Sequence, residues 1–182
     1  MVFSRSVLEV DFSLRPSGLG RACAPMTHDE WTYFVATALG ATHFASEVLV
    51  YYRQHGGNVF GAPGRHLRYS GAPDDYRFLK DRATERSAFF EKLASVDTVR
   101  RDRYESAAAY YRTLAARLEA RASVYSSQAG IARRLGRFAR LAATGGYRPR
   151  TRGGFGLPSL LKDAIGSIVL GVGTGPNRWP RP

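Results

Sequence analysis

Apolar and polar residues along this chain follow two rhythms, one helical and one short and β-like. The helical rhythm is clearest after Thr27. Trp31, Phe34, Val35, Ala38 and Leu39 share one stripe of a 3.6-residue period. Ahead of them Thr27-His28-Asp29-Glu30 is a capping box: the Thr27 hydroxyl can accept from the Glu30 N–H, and the Glu30 carboxylate can reach back. Gly40 is placed to end this helix. The β-like rhythm appears in Thr42-His43-Phe44-Ala45 and Val48-Leu49-Val50-Tyr51-Tyr52. These β-branched and aromatic runs predict two short strands around a turn at Ser46-Glu47. The mixed apolar segment 1–12 predicts a short strand followed by a helical turn, broken by Pro16 to Gly20.

Gly61 to Pro73 is rich in glycine and proline and predicts a linker. Beyond it the pattern is helical. Asp74 to about Val96 predicts one helix, with Phe78, Leu79, Phe90 and Leu93 near helical spacing. Asp97 to about Ser126 predicts a second, striped by Ala107, Tyr111, Leu114 and Leu118. Gln128 to Ala143 predicts a third, where Ile131, Leu135, Phe138 and Leu141 are flanked by Arg133, Arg134, Arg137 and Arg140. Gly145-Gly146-Tyr147 ends it, and a Gly/Arg loop leads to a last short helix over Leu160 to Leu170. The tail after Gly171 is expected to be loose. No internal repeat is present.

Composition bounds the class. An apolar share of 44% over 182 residues is enough for a packed core. Cys23 is the single cysteine, so no intrachain disulfide can form, which fits a reducing compartment. The opening Met1-Val2-Phe3-Ser4-Arg5 does not read as a signal peptide. Ala164 to Val172 comes nearest to a membrane span but is short and broken by glycines.

Charge is distributed unevenly. The formal net charge is +12, yet residues 1–60 hold four arginines against five acids. From Arg121 onward eleven Arg and Lys face a single acid, Asp163. Such one-sided charge favours a polyanionic partner: anionic lipid, nucleic acid or phosphate.

Two places could carry chemistry. Asp29 follows a loop and opens a helix, where a carboxylate facing a cleft can act as a general base. On spacing alone, acids in a first turn more often serve the helix dipole. Arg53-Gln54-His55 precedes Gly56-Gly57, whose freedom permits a sharp turn after three polar side chains. His28, His43, His55 and His66 lack zinc-type spacing. No nucleophile elbow and no phosphate-cradling Gly-Lys-Ser/Thr loop occurs. Tyr110-Tyr111 reads as core and helix surface, not as a site.

Taken together, His28-Asp29-Glu30-Trp31 and Tyr51-Tyr52-Arg53-Gln54-His55-Gly56-Gly57-Asn58-Val59-Phe60-Gly61 resemble the C-terminal part of family 2 glycosyltransferases, especially bacterial rhamnosyltransferase-like members. Those show a His-Asp-x-Trp helix start followed by a Tyr-Arg-Gln-His-x-x-Asn-x-x-Gly strand end. The resemblance covers roughly residues 1–62. A weaker one runs from Gly145 to Asp163, where Gly-Tyr, Gly-Phe-Gly and Lys-Asp resemble the tails of such enzymes.

The resemblance implies an α/β fold: an incomplete GT-A domain over 1–62 with a helix and short strands, followed by a basic helical extension over 63–182. It implies sugar transfer from a nucleotide-sugar donor to a hydroxyl acceptor, a glycan or a lipid-linked one. Asp29 would deprotonate the acceptor hydroxyl. His28, Trp31, Arg53 and Gln54 would line the substrate pocket. His55 would contact the donor diphosphate or its metal, Mg²⁺ or Mn²⁺. Asp29 and His55 are thus expected to converge on one pocket. The implied location is cytoplasmic, or peripheral at the inner face of the membrane. The family's Asp-x-Asp metal motif is absent from this sequence. A truncated product, a mis-started frame or one piece of a split enzyme is therefore expected. The isolated chain is expected to be inactive and to expose an apolar edge around Val48 to Tyr52.

Two other classes stay open. One is a non-enzymatic basic module at a membrane surface or on nucleic acid. Nucleic acid is the weaker partner, because no nucleic-acid motif is present. In the glycosyltransferase reading the basic helix Gln128 to Ala143 would lie on an anionic membrane with its apolar stripe down, or pack on the core with its arginines in water. The other class is a metal-dependent hydrolase built from His28, Asp29 and His55, which no ligand spacing supports.

Overall fold

The computed structural model describes residues 5–7, 9–18, 25–40, 73–125, 129–149 and 154–165. They form α1 (His28–Leu39), α2 (Pro73–Val96), α3 (Arg101–Val124), α4 (Ile131–Ala143) and α5 (Leu157–Asp163). Two 3-10 turns, Arg5–Val7 and Phe12–Leu14, precede α1. No helix among the described residues is long and apolar enough to cross a membrane.

The expected α/β arrangement is overturned. The described residues are mostly helical and contain no strand, so the GT-A assignment of 1–62 finds no support in them. Only an isolated bridge joins Ser17 to Pro25. In the N-terminal segment the described residues form helical turns, as expected for its second part, and residues 1–4 lie outside them. Val7 and Val10 are both buried and Glu9 is exposed. Three residues separate the buried pair, a turn's spacing, whereas a strand would put residues 7 and 9 on one face. The Asp11 carboxylate accepts from the Ser13 N–H at 2.8 Å and starts the second 3-10 turn. The strands expected at 42–45 and 48–52 lie outside the described residues, as do the linker, the apolar edge and the tail after Gly171.

α2 and α3 form the framework. Each has 24 residues, about 36 Å of helix at 1.5 Å per residue. The four residues between them, 97–100, turn the chain back. Asp97 organises that turn: its carboxylate accepts from the N–H groups of Val99 and Arg100, both at 3.1 Å, and pairs with the Arg100 guanidinium. α3 therefore begins at Arg101 and not at Asp97, because the Asp97 side chain competes with helix continuation. Pairings from Phe90–Tyr104 near the turn, through Lys80–Glu119, to Tyr76–Tyr125 at the far end run antiparallel.

Each end of this hairpin carries its own core. At the closed end α1 lays Trp31, Phe34, Val35 and Leu39 against Phe89, Phe90, Leu93, Tyr104 and Ala108, with Val7, Val10 and Met26 beneath. Trp31–Phe89 pack edge-on at 5.5 Å and Phe34–Phe90 tilted at 4.7 Å, while Phe90 stacks on Tyr104 and Tyr111. Arg103 donates to the Leu39 carbonyl and so satisfies a group that the end of α1 leaves open. Glu85 receives the Ser17 N–H and hydroxyl, tying the N-terminal segment to α2.

At the open end Tyr76, Ala83, Leu118, Ala122, Val124 and Tyr125 meet Leu141 and Tyr147. In the open-end half of α2 the burial falls on Tyr76 and Ala83, not on Phe78 and Leu79, which are half-buried and exposed; Phe90 and Leu93 of the expected stripe are buried at the closed end.

Phe90 is fully buried and touches Phe34, Phe89, Tyr104 and Tyr111. Phe90→Ala is expected to destabilise the protein by about 3–5 kcal/mol. Urea unfolding followed by circular dichroism checks this. The midpoint should fall without a change in slope.

Candidate functional site

The first turn of α1 holds three of the expected site residues. The Glu30 carboxylate accepts from the Thr27 N–H at 3.1 Å, the reach-back half of the expected capping box. The Thr27 hydroxyl donates to the Asp29 carboxylate. That bond, with help from the N–H groups of Asp29 and Glu30, holds the Asp29 carboxyl below its ordinary value of 3.8. Asp29 is exposed. His28 is exposed too, with its ring stacked on Phe12 at 4.7 Å. Trp31 is buried among Phe12, Phe34 and Phe89. Two residues of helix separate Asp29 from Trp31, so one points to water and the other into the core. Arg53, Gln54 and His55 lie outside the described residues.

Asp29 begins an exposed stripe. Tyr33 and Thr37 follow at i+4 and i+8, and all three are exposed. This stripe runs into an open groove of about 760 Å³ between α1 and α3. Tyr33, Thr37, Asp102, Arg103, Tyr110 and Tyr111 line it. Tyr110 stands edge-on to Tyr111 at 5.3 Å and is exposed, whereas Tyr111 is half-buried. Burial raises the Tyr111 phenol and keeps it a hydrogen-bond donor. The sequence reading placed the tyrosine pair on core and surface. The neighbourhood of Tyr33 turns that surface into a groove wall.

The second constellation lies at the other end of the hairpin. Asp163 is fully buried. Arg121 donates to both of its oxygens, Nε to Oδ2 at 2.7 Å and a terminal nitrogen to Oδ1 at 2.8 Å. The Tyr125 hydroxyl donates to Oδ1, and the Tyr147 hydroxyl to Oδ2 at 2.8 Å. The Arg121 guanidinium is sandwiched between Tyr76 at 4.7 Å and Phe155 at 4.6 Å. Burial opposes the charge on Arg121, but the bond to Asp163 lifts its pKa above the ordinary value. Burial, and then the Asp163 charge and bond, push both phenols upward. Each carboxylate oxygen thus receives two donors, an arrangement that holds structure.

Glycines admit this cluster. Gly145 has φ +78°, where a side chain is strained, and closes α4. A Cβ on Gly146 would sit 2.4 Å from Leu141 Cδ1. Both place Tyr147 over Asp163. A signal for the cluster existed in the sequence: one carboxylate within a strongly basic stretch, preceded by Gly-Gly-Tyr.

Among the described residues no three His, Cys, Asp or Glu side chains group to hold a metal ion. The expected ligand of Mg²⁺ or Mn²⁺, His55, lies outside the described residues. No known protein family, curated protein or solved structure matches the chain.

Two titrations follow. Thr27→Ala removes the hydroxyl that lowers Asp29, so the Asp29 carboxyl midpoint, read by carbon NMR, should rise toward 3.8. Tyr125 is raised in the folded chain, so its contribution is complete below the ordinary 10.0 and is lost as pH climbs above it. Urea midpoints measured below and above pH 10 should fall more steeply in the parent chain than in Tyr125→Phe.

Proposed function

We propose that this chain supplies the acceptor side of an enzyme that moves a sugar from a nucleotide-sugar to a hydroxyl of a glycan or lipid-linked acceptor. The observation that carries this reading is the stripe Asp29–Tyr33–Thr37. It joins an ionised, exposed carboxylate to a groove walled by tyrosines with Asp102 and Arg103 beside them. Tyrosine rings offer flat apolar faces with a polar edge, and charged groups nearby can accept from or donate to hydroxyls. Asp29 and Tyr33 are about 6 Å apart along the helix axis, at 1.5 Å per residue. A sugar bridging that distance would present a hydroxyl to the base.

In the proposed step the acceptor oxygen attacks the anomeric carbon of the donor sugar. Its proton passes to Asp29 as the new C–O bond forms. The bond from the anomeric carbon to the diphosphate oxygen breaks, and the diphosphate leaves with that electron pair. A carboxyl held low is a modest base, suited to taking a proton that becomes acidic only as the bond forms.

A second reading, a non-enzymatic basic helical protein at an anionic surface, is favoured by a different observation. The one acid after Arg121 is spent inside the core.

Transfer is the test of the first reading. The protein is joined to a nucleotide-sugar-binding domain that carries an Asp-x-Asp and given labelled donor and a panel of oligosaccharides. Asp29→Asn should lower transfer by about 10²–10⁴ while acceptor binding, read by saturation-transfer NMR, is unchanged. Transfer indifferent to Asp29→Asn, or no acceptor contact with the groove tyrosines, overturns it.

A further inference from the structure

A second groove, of about 600 Å³, runs between α3 and α4. Two small residues of α3 keep it open. Ala116 and Ala120, four apart on one helix face, carry nothing beyond Cβ into the space. Arginines line both sides: Arg117 from α3, and Arg137 and Arg140 from α4. Arg137 is held in place, because a terminal nitrogen donates to the Ser123 carbonyl at 2.8 Å. A guanidinium has five N–H donors, so one bond to a carbonyl fixes it without exhausting it.

The charge in this groove has one sign. Among the described residues no carboxylate lines it. α4 contains no acid. Glu119, the only acid in the second half of α3, pairs with Lys80 of α2 at 3.4 Å. Asp163, the only acid after Arg121, is sequestered with Arg121, Tyr125 and Tyr147. The guanidinium groups therefore carry the local field. They are also the donors that a ligand would meet. The hydroxyls of Thr113, Ser123 and Thr144 line the groove too, but they give their protons to carbonyls of their own helices.

We propose that the α3–α4 groove binds a small soluble anion with linked phosphates, a diphosphate or its ester. Guanidinium forks engage phosphate oxygens two at a time. Arg137 and Arg140 leave α4 about 4.5 Å apart along its axis, at 1.5 Å per residue. With Arg117 on the other wall, this spacing suits two linked phosphates better than one. The volume is that of a small-molecule site. The groove shares no lining residue with the tyrosine groove, and its binding does not depend on Asp29 or on sugar transfer.

Calorimetric titration of the full chain with inorganic pyrophosphate, orthophosphate and adenosine diphosphate tests this. Pyrophosphate should saturate a single site, and orthophosphate should bind about tenfold more weakly. Adenosine diphosphate at least as tight as pyrophosphate assigns an ester, and a weaker one assigns the free ion; both support the site. Arg140→Gln should weaken pyrophosphate binding by about tenfold. Ala116→Trp fills the groove at unchanged charge and should weaken it by about as much. Arg133→Gln removes an exposed charge of the same helix that does not line the groove, and should leave binding within about twofold. Helical circular dichroism should be kept in all three. If Ala116→Trp does not fold, Arg140→Gln set against Arg133→Gln decides. Absence of saturable pyrophosphate binding overturns the proposal. So do an equal loss in Arg133→Gln, parent-like binding by Arg140→Gln, and tighter binding of a DNA duplex than of pyrophosphate.

Discussion

The carboxylate of Asp163 must be satisfied without water, and the basic half of the molecule is arranged around that demand. A buried charge is costly unless it is paired and hydrogen-bonded. Asp163 meets the condition with four donors from three residues: Arg121 and Tyr125 at the end of α3, and Tyr147 after α4. The constraint propagates outward. Tyr147 can reach only if α4 ends in a left-handed Gly145 and a Gly146 with no side chain against Leu141. α5 can present Asp163 inward only with Leu157 and Leu161 outward. The exposed aliphatic stripe is therefore a consequence of the pairing within.

The α2–α3 hairpin keeps this region apart from the other one. Its closed end is aromatic and uses Phe89, Phe90 and Tyr104 to receive α1. Its open end is polar at the centre and aromatic at the rim. Tyr111 packs against both clusters and marks the join. The carboxylate of Asp29 and the tyrosine groove belong to the closed end, and the arginines of α4 belong to the open end. One helical hairpin thus separates a candidate acceptor groove from the buried Asp163 cluster.

Local signals in the chain were read correctly where one element decides its own fate. The start of α1 is legible because Thr27 and Glu30 meet within a single turn. Gly40 caps it for an equally local reason. Where a contact partner is far off in sequence, pattern reading failed. Residues 1–12 read as a short strand followed by a helical turn, without any indication of what the turn would pack against. Only the structure shows that Val7 and Val10 cover the core that α1 forms with α2 and α3. Tyr76 gave no core signal in its own helix and is buried only because Tyr125 and Arg121 come back to it.

The candidate site divides along the same line. The chain alone determined that Asp29 opens a helix, that Trp31 lies on its apolar stripe and that the C-terminal region is strongly cationic, since each follows from local spacing or composition. Only the tertiary structure decided that Asp29 faces water while Trp31 is walled into the core, and that Tyr33 and Tyr110 share a groove. It also decided that Asp163 neutralises Arg121 and leaves the outer arginines to set the field. Those outcomes depend on which helix faces are brought together across tens of residues, and periodicity along one element carries no record of the face it will meet.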